Sequence, residues 1–509
     1  MVRVRSAIGP AIGPAIAPLA VVLVALAAIV PTVQPGVGFW DTAEAQTVPP
    51  VLGIMHPTGF PAYVLLGWLA SQVLGPLGEP AFRMNLLSAL LVATAAGLTA
   101  VLVRRLTDSA PLGVAAGIGL ALTPIAWAIG TRADVHALHL ALAALLLVLL
   151  VEWDRRRAAA ESGADRMLVA ASVAFGLAAA NHSLTLLLAP AIGAFVLAVE
   201  PAILRRPRLV LACLVAIVVT VAVLYLELPL RAGPFRAPLV YGRPETLEGL
   251  RYIVLAEQFR GSLIDPLGDL PGKIRALTGL MAAQFGILAP LVPVGFVATI
   301  RRAPRFALLT GIAALITVFF AASYANADIS RYYLVPALIA WSWLAVLAAT
   351  AVEALEALTG PDESPASVAA AALLGLALLV PSLGALPDRA ARLDLSRDRS
   401  APRWLNAALG AMEPNAVVVA WWSYSTTLWY AQHIEGRFAD GLIVDDRTRL
   451  DLELGEVPDV IDAHLGRRPV YVVRSSSEEV AALRLTYTLE AIPGATMLYR
   501  VVGRTGAGS

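Results

Sequence analysis

Stretches of about twenty residues built from alanine, leucine, valine and isoleucine recur from one end of this 509-residue chain to the other, and nothing else constrains its fold as strongly. An α-helix needs roughly 20 mainly apolar residues to cross a bilayer, since no water is there to satisfy a broken backbone hydrogen bond. Eleven segments meet that requirement: about 11–34, 83–103, 111–130, 136–152, 167–182, 184–200, 209–228, 276–299, 306–323, 331–350 and 366–386. Hydrophobic residues make up 58% of the chain and charged ones 15%. Its mean hydropathy of +0.74 is far above that of a soluble domain. The chain reads as a polytopic α-helical membrane protein. Arg3 and Arg5 ahead of a small-residue apolar run also fit a signal peptide, but ten further blocks follow and a retained first span is expected.

The segment 62–77 is apolar too, yet Pro57, Pro61 and Pro76 bracket it, so it is expected to be a re-entrant or interface-lying helix. Leaving it out of the count places the basic loops on one side: Arg104 and Arg105, Arg155 to Arg157, Arg205, Arg206 and Arg208, and Arg301, Arg302 and Arg305. Short loops rich in arginine stay in the cytoplasm. The expected topology is therefore a plasma (inner) membrane protein with a cytoplasmic N-terminus. The loop 351–365, with Glu353, Glu356, Asp362 and Glu363, breaks the pattern, but acidic residues orient spans only weakly.

Residues 1–386 form the expected membrane domain, with outer loops 35–82 and 229–275. Residues 387–509 read differently: short β-branched runs at 414–422, 441–445 and 469–474 alternate with helical stretches. That alternation predicts a small α/β domain with a parallel sheet, placed outside the cytoplasm by the span count. Net charge is only +1 and Lys273 is the sole lysine, so no nucleic-acid surface is indicated. Cys213 is the only cysteine, which excludes an internal disulfide and a thiolate zinc cluster.

The conspicuous polar residues fall at the opposite ends of the spans from the basic loops. Asp41 and Glu44, in "GVGFWDTAEAQTVPPVLGIMHPTGFP", are three residues apart and share one helix face if a helix starts there. Two readings are open: a capping box with Asp41 as N-cap and Glu44 at N3, or a fixed carboxylate that takes a proton from a hydroxyl. His56 sits in a stiff turn with Pro57, Gly59 and Pro61, where a structural role competes with ligand contact. Phe39, Trp40 and Phe60 fit an interfacial aromatic belt. Further along come Arg132, Asp134 and His136, then Asn181 and His182, Glu227 and Arg231, and Asn326, Asp328 and Arg331 followed by Tyr332 and Tyr333. Polar groups at that depth are costly unless paired or used, and a guanidinium such as that of Arg331 suits a phosphate. Metal binding has no diagnostic spacing, although Asp41, Glu44 and His56 could contribute ligands to a divalent ion. No phosphate-binding glycine loop follows a predicted strand, so no nucleotide cofactor is expected.

The stretch "FWDTAEAQTVPPVLGIMHPTGFPAYVLLGWLA" resembles the D-x-x-E…L-G-x-x-H-P-x-G-Y-P-x-Y-x-L-L-G signature of an uncharacterised multispanning family related to the transmembrane protein O-mannosyltransferases, with bacterial members. These are similar to the C-type (GT-C) membrane glycosyltransferases, which use polyprenyl-phosphate-linked sugars. The likeness is strongest over 39–90 and weaker through 134–138, 176–183 and 332–336, and returns in "TTLWYAQHIEGRFADGLIVD". It implies Asp41 as the catalytic base and Glu44 as the acid that orients Asp41, the acceptor or a metal. It also implies a pocket shaped by Trp40, His56, Pro57, Gly59, Phe60, Pro61 and Tyr63. The departing phosphate or the sugar would meet Arg331, Arg132, His182, His136, His56 or Lys273. Phe60 and His136 stand where relatives commonly have tyrosine, and "AWWSYSTTLWY" replaces a polar G-D-x-D/N opening.

What the resemblance implies is an inverting transfer of one sugar, mannose by default, from a polyprenyl-phosphate donor to a hydroxyl of a protein, glycan or lipid outside the cytoplasm. The alternatives are a transporter or flippase of lipid-linked sugars, expected to place polar residues at mid-membrane depth, and a non-catalytic envelope-binding membrane protein.

Overall fold

The computed structural model describes residues 13–326, 328–359 and 365–505. Arg3, Arg5, Asp362 and Glu363 lie outside the described residues. The chain begins with α1 (Gly13–Ile29), α2 (Trp40–Thr47), α3 (Pro61–Val73), α4 (Pro80–Thr107), α5 (Ala110–Ala121) and α6 (Pro124–Gly130). It continues with α7 (Val135–Ala158), α8 (Ala164–Asn181), α9 (Ala189–Val199) and α10 (Pro207–Tyr225). Among the described residues seven helices are long and apolar enough to cross a membrane, or up to nine if each of two bent pairs counts as one span. The bent pairs are α5 with α6, at 65°, and Leu270–Leu288 with Leu291–Arg302, at 76°. Pro124 opens α6 and Pro290 precedes the second bend, where a missing N–H makes a helix break. The two remaining expected spans are helical as well, as α8 and the shorter apolar helix Ser183–Val199. The chain is a multi-pass membrane protein.

At 28 residues, α4 is roughly 42 Å long and forms the spine of the bundle. A Cβ on Gly113 or Gly117 of α5 would stand 2.6 or 2.5 Å from the carbonyl oxygens of Ala100 or Ala96 on α4, so the small-xxx-small pair lets the two backbones touch. The break after α5 exposes the Leu122 carbonyl, and the buried Arg389 guanidinium donates to it at 2.8 Å. Trp341 donates to Thr123 at 2.8 Å and Trp127 to Thr32 at 2.9 Å, so buried polar atoms at the break are satisfied. At 13 residues, α3 spans about 20 Å, short of a bilayer, in keeping with its expected re-entrant or interfacial character.

The basic loops gather at one end of the bundle. Arg155 reaches Asp108, Arg305 reaches Asp154 at 2.7 Å, Arg302 pairs with Glu353 and Arg206 with Asp165.

After helix Ser400–Ala411, five strands form one sheet: β1 (Val417–Ala420), β2 (Leu442–Asp445), β3 (Val470–Val473), β4 (Tyr487–Ala491) and β5 (Leu498–Arg504), in the order β2-β1-β3-β5-β4. The three runs expected from sequence are parallel, but β5 is antiparallel to both β3 and β4, so the sheet is mixed. The missed pair carries tyrosine, glutamate and arginine at half-exposed positions, without the unbroken β-branched run of a strand buried on both faces. The carboxyl ends of β1 and β2 run into Trp421–Trp422 and Asp446–Arg447. In open α/β sheets that edge is where ligands sit, and here it faces the first outer loop.

Candidate active site

The loop after α1 turns at Gly38–Phe39 and enters α2 at Trp40, whose φ is +59°. Phe39 is the N-cap residue and makes no side-chain cap. Of the two readings open for Asp41 and Glu44, the capping box does not form. The Asp41 carboxylate is drawn away by the Trp422 indole, whose N–H donates to Oδ1 at 3.1 Å. Glu44, one turn on and buried, turns both oxygens to His56: the backbone N–H donates to Oε1 at 2.8 Å and ring Nδ1 lies 2.5 Å from Oε2. The two acids thus divide their work, Asp41 facing open space and Glu44 holding an imidazole.

His56 is fixed by its turn. Gly59 has φ +79°, and a Cβ there would press Leu228 and Ile253 at 3.2 Å. Phe60 follows at φ +47° and Pro61 opens α3 at the first position, where its missing N–H costs nothing. The aromatics make specific contacts. Phe39 packs on Tyr424 at 5.0 Å and Trp404 at 6.2 Å, and Trp40 meets Trp421 edge-on at 4.6 Å. Phe60 lies 5.1 Å from His56 and 5.6 Å from His182. Phe39 and Trp40 thus seat the sheet domain on the loop, whereas Phe60 packs between two imidazoles.

Opposite α2, Asp134 caps α7 and accepts from the backbone N–H of His136 at 2.8 Å, with ring Nδ1 also at 2.8 Å. Arg331, on the turn before helix Leu334–Thr359, lies among three aspartates: Nε is 3.2 Å from Asp328, and its terminal nitrogens are 3.4 Å from Asp134 and 3.6 Å from Asp41. Arg132 shares Asp328 at 3.2 Å. Asn181 donates to the Val135 carbonyl at 3.1 Å, tying the end of α8 to the start of α7. That brings His182 to 4.6 Å from the His136 ring. His182 Nδ1 accepts from the Leu184 N–H at 3.1 Å, whereas His136 Nε2 is buried without a hydrogen-bond partner. Asn326 accepts from the Asp328 N–H at 2.8 Å, and Tyr332 stacks on Tyr324 at 5.6 Å.

These groups surround one cavity of about 1050 Å³, at the upper edge of small-molecule pockets. Trp40, Asp41, His56, Pro57, Phe60, Arg132, His136, His182 and Arg331 line it. Glu44 lies behind His56, and Gly59, Pro61 and the fully buried Tyr63 support the wall from outside it. Lys273 is not on the wall; its ammonium is exposed and donates to the Asp265 carbonyl. Wall residues that the sequence did not single out are Trp421, Trp422, Asp446 and Arg447 at the sheet edge and Tyr241, Gln258, Phe259 and Arg260 in the long outer loop. Of the four wall arginines, Arg132, Arg260 and Arg331 pair with acids; Arg447 meets an acid through its backbone N–H, which donates to Asp445 at 2.7 Å.

The Asp41 side chain is 40% exposed and lines the cavity. Burial would raise its pKa, but His56, Arg331 and the Trp422 N–H outweigh that and hold it below the usual carboxylate value. Asp134 is lowered further, burial again opposed by Arg331 and His136. Burial pushes the His56 pKa down, and the Glu44 carboxylate more than restores it, so the ring protonates more readily than a free histidine. One ligand atom each from Asp41, Glu44 and His56 lie within 4.8 Å of one another, and this set suits a divalent ion. Glu44 and His56 already satisfy each other, which limits what they have to offer it.

Residues 41–202 match the family model of the Protein O-mannosyl-transferase TMEM260 N-terminal domain. Over 265 residues the chain is 29% identical to the Protein O-mannosyl-transferase TMEM260 of Mus musculus. The match covers 49% of this chain and 35% of that protein, so the chain spans about a third of the length of the curated relative. The fold is similar to that of ArnT from Cupriavidus metallidurans bound to undecaprenyl phosphate, with TM-score 0.64 at 16% identity over 97% of this chain and 98% of that one. It is also similar to the archaeal oligosaccharyltransferase AglB from Archaeoglobus fulgidus in complex with an inhibitory peptide and a dolichol-phosphate, with TM-score 0.51 at 14% identity over 94% of this chain and 73% of that one. The chain therefore shares the fold of ArnT and AglB, and over residues 41–202 it is similar to the N-terminal domain of the TMEM260 protein O-mannosyl-transferases.

Proposed function

We propose that this protein is an inverting membrane glycosyltransferase that moves a sugar, mannose by default, from a polyprenyl-phosphate donor to a hydroxyl on a protein, glycan or lipid. One observation carries the reading: an ionised Asp41 with one oxygen held and the other open to a cavity lined by guanidinium and imidazole groups. The acceptor hydroxyl gives its proton to Asp41 as its oxygen bonds to the anomeric carbon, and the carbon–phosphate oxygen bond breaks with its electron pair going to the lipid phosphate. Arg331, Arg132, His136, His182 and His56 supply the positive or donor groups that this departing charge needs. Arg331 also keeps Asp41 ionised, and Glu44 orients His56. Lys273, away from the wall, would reach the phosphate only by a loop movement. A divalent metal on the Asp41, Glu44 and His56 set would add Lewis-acid stabilisation of the phosphate.

In this reading residues 1–386 are the catalytic membrane domain and 387–509 an extracytoplasmic domain that closes the site. The arginine-rich opposite end then lies in the cytoplasm of a cell with its plasma membrane as host, as the distribution of basic loops favours. A flippase would need polar groups at mid-depth. Instead Thr99, Thr310 and Thr317 inside the spans return their hydroxyls to their own helix at 2.7 to 2.8 Å. The test is Asp41→Asn in membranes given radiolabelled polyprenyl-phosphate sugars: transfer falls by about 10³-fold while expression and folding hold. Unchanged transfer would reject the assignment. Placing a cysteine at Leu485, which is 83% exposed, in a Cys213→Ala background tests the topology; labelling by an impermeant reagent from outside intact cells is expected.

A further inference from the structure

Two parts of the chain separated by 381 positions meet at a single carboxylate oxygen. Trp422 opens the helix Trp422–His433 directly after β1, at the carboxyl edge of the parallel strands. Its ring is boxed by Trp429 at 5.4 Å, His56 at 5.8 Å and Tyr241 at 5.9 Å. The same helix is anchored to the loop below: Thr427 donates to the Gly38 carbonyl at 2.8 Å, and Tyr430 accepts from the Ala81 N–H at 3.2 Å. A ring held on three sides, on a helix fixed at two further points, leaves its N–H little freedom. Asp41 Oδ2 is held far less: its contact is Arg331 at 3.6 Å, beyond hydrogen-bond range.

We propose that Trp422 is the positioning residue of the Asp41 base: its N–H pins Oδ1, and Oδ2 is thereby the atom that receives the acceptor's proton. This rests on the glycosyltransferase reading above. In the step, the acceptor O–H bond breaks and its proton bonds to Oδ2. The freed oxygen pair forms the bond to the anomeric carbon, and the lipid phosphate leaves with the electrons of the bond it gives up. The outer sheet domain is then part of the catalytic apparatus, because without it the base turns about its own Cα–Cβ bond.

The test compares Trp422→Phe, which keeps an aromatic ring and loses the donor, with Trp422→His, which loses more packing and keeps a ring N–H. Phe should lower kcat by roughly 10- to 100-fold, the range for a hydrogen bond to a charged group, with donor KM within about two-fold of wild type. The acid limb of its pH–rate profile should move to higher pH. Arg331, His56, Glu44 and Asp134, which also face Asp41, are the same in both variants. Trp422→His should be the more active of the two, an order that packing loss alone reverses. Wild-type kcat and acid limb in Trp422→Phe, a change confined to KM, or a His variant less active than Phe would overturn the positioning role. Transfer by Asp41→Asn in the same assay would instead overturn the base assignment beneath it.

Discussion

Arginines crowd both ends of the helical bundle, and the two ends treat them differently. At one end Arg305 meets Asp154 at 2.7 Å with 44% and 26% of the two side chains exposed, and Arg105 and Arg156 share Glu152 at 3.3 and 2.7 Å. At the other end Arg331, 17% exposed, stands among Asp41, Asp134 and Asp328. The first geometry is that of solvated ion pairs, worth about 0 to 1 kcal/mol each. The second gathers three acids on one largely buried cation, and removing that cation strips each of them of a charge partner. One residue type thus forms solvated ion pairs at one end and a shared, largely buried charge cluster at the other.

The comparison can be broken in order of effect. Asp41→Asn comes first, with transfer down about 10³-fold; Asn still accepts from Trp422, so unfolding should not follow. Arg331→Leu comes next, with unfolding in detergent expected about 3 to 5 kcal/mol easier and Lys intermediate. Equal stability of Leu and wild type would show that the three aspartates do not depend on it. The pH dependence is smaller and has two signs. Asp41 and Asp134 are depressed, so their contribution is complete above the ordinary carboxylate value of about 3.9 and is lost as pH falls through their lower folded values. Transfer by wild type should therefore be flat down to about pH 4, and Arg331→Lys should raise that limit. His56 is raised, so the stability of its pair with Glu44 is complete below about pH 6.5 and is lost as pH rises through its folded value. Glu44→Gln should flatten the alkaline decline of the melting temperature. Arg305→Ala comes last, at under about 0.5 kcal/mol; a cost matching that of Arg331→Leu would erase the distinction between the ends.

The membrane helices are legible in the sequence because each must satisfy its own backbone in hydrocarbon, a demand written into twenty consecutive side chains. The outer-loop acids are legible because charge stands out there. Trp421, Trp422 and Arg447 are not, since what makes them matter is the seating of one domain on another. Even so, their place after β-branched runs puts them at the carboxyl ends of parallel strands, where a ligand is expected. The capping box failed for a physical reason: a carboxylate offered an imidazole and an N–H, as Glu44 is by His56, has no need of its own helix's first turn. Lys273 is a cation in the long loop 229–275, and only the fold separates such a group from the cavity wall.

The hydrogen bond between Trp422 and Asp41 also sets an order of events. Ribosomes make chains from the N-terminus, so the loop bearing the carboxylate is laid down long before the indole that steadies it. Through all that time the eight-residue helix at 40–47 lacks its aromatic seat. That contact arrives late, when the tail folds back onto the beginning, so a truncated product can be inserted and helical yet leave the Asp41 carboxylate without its indole partner.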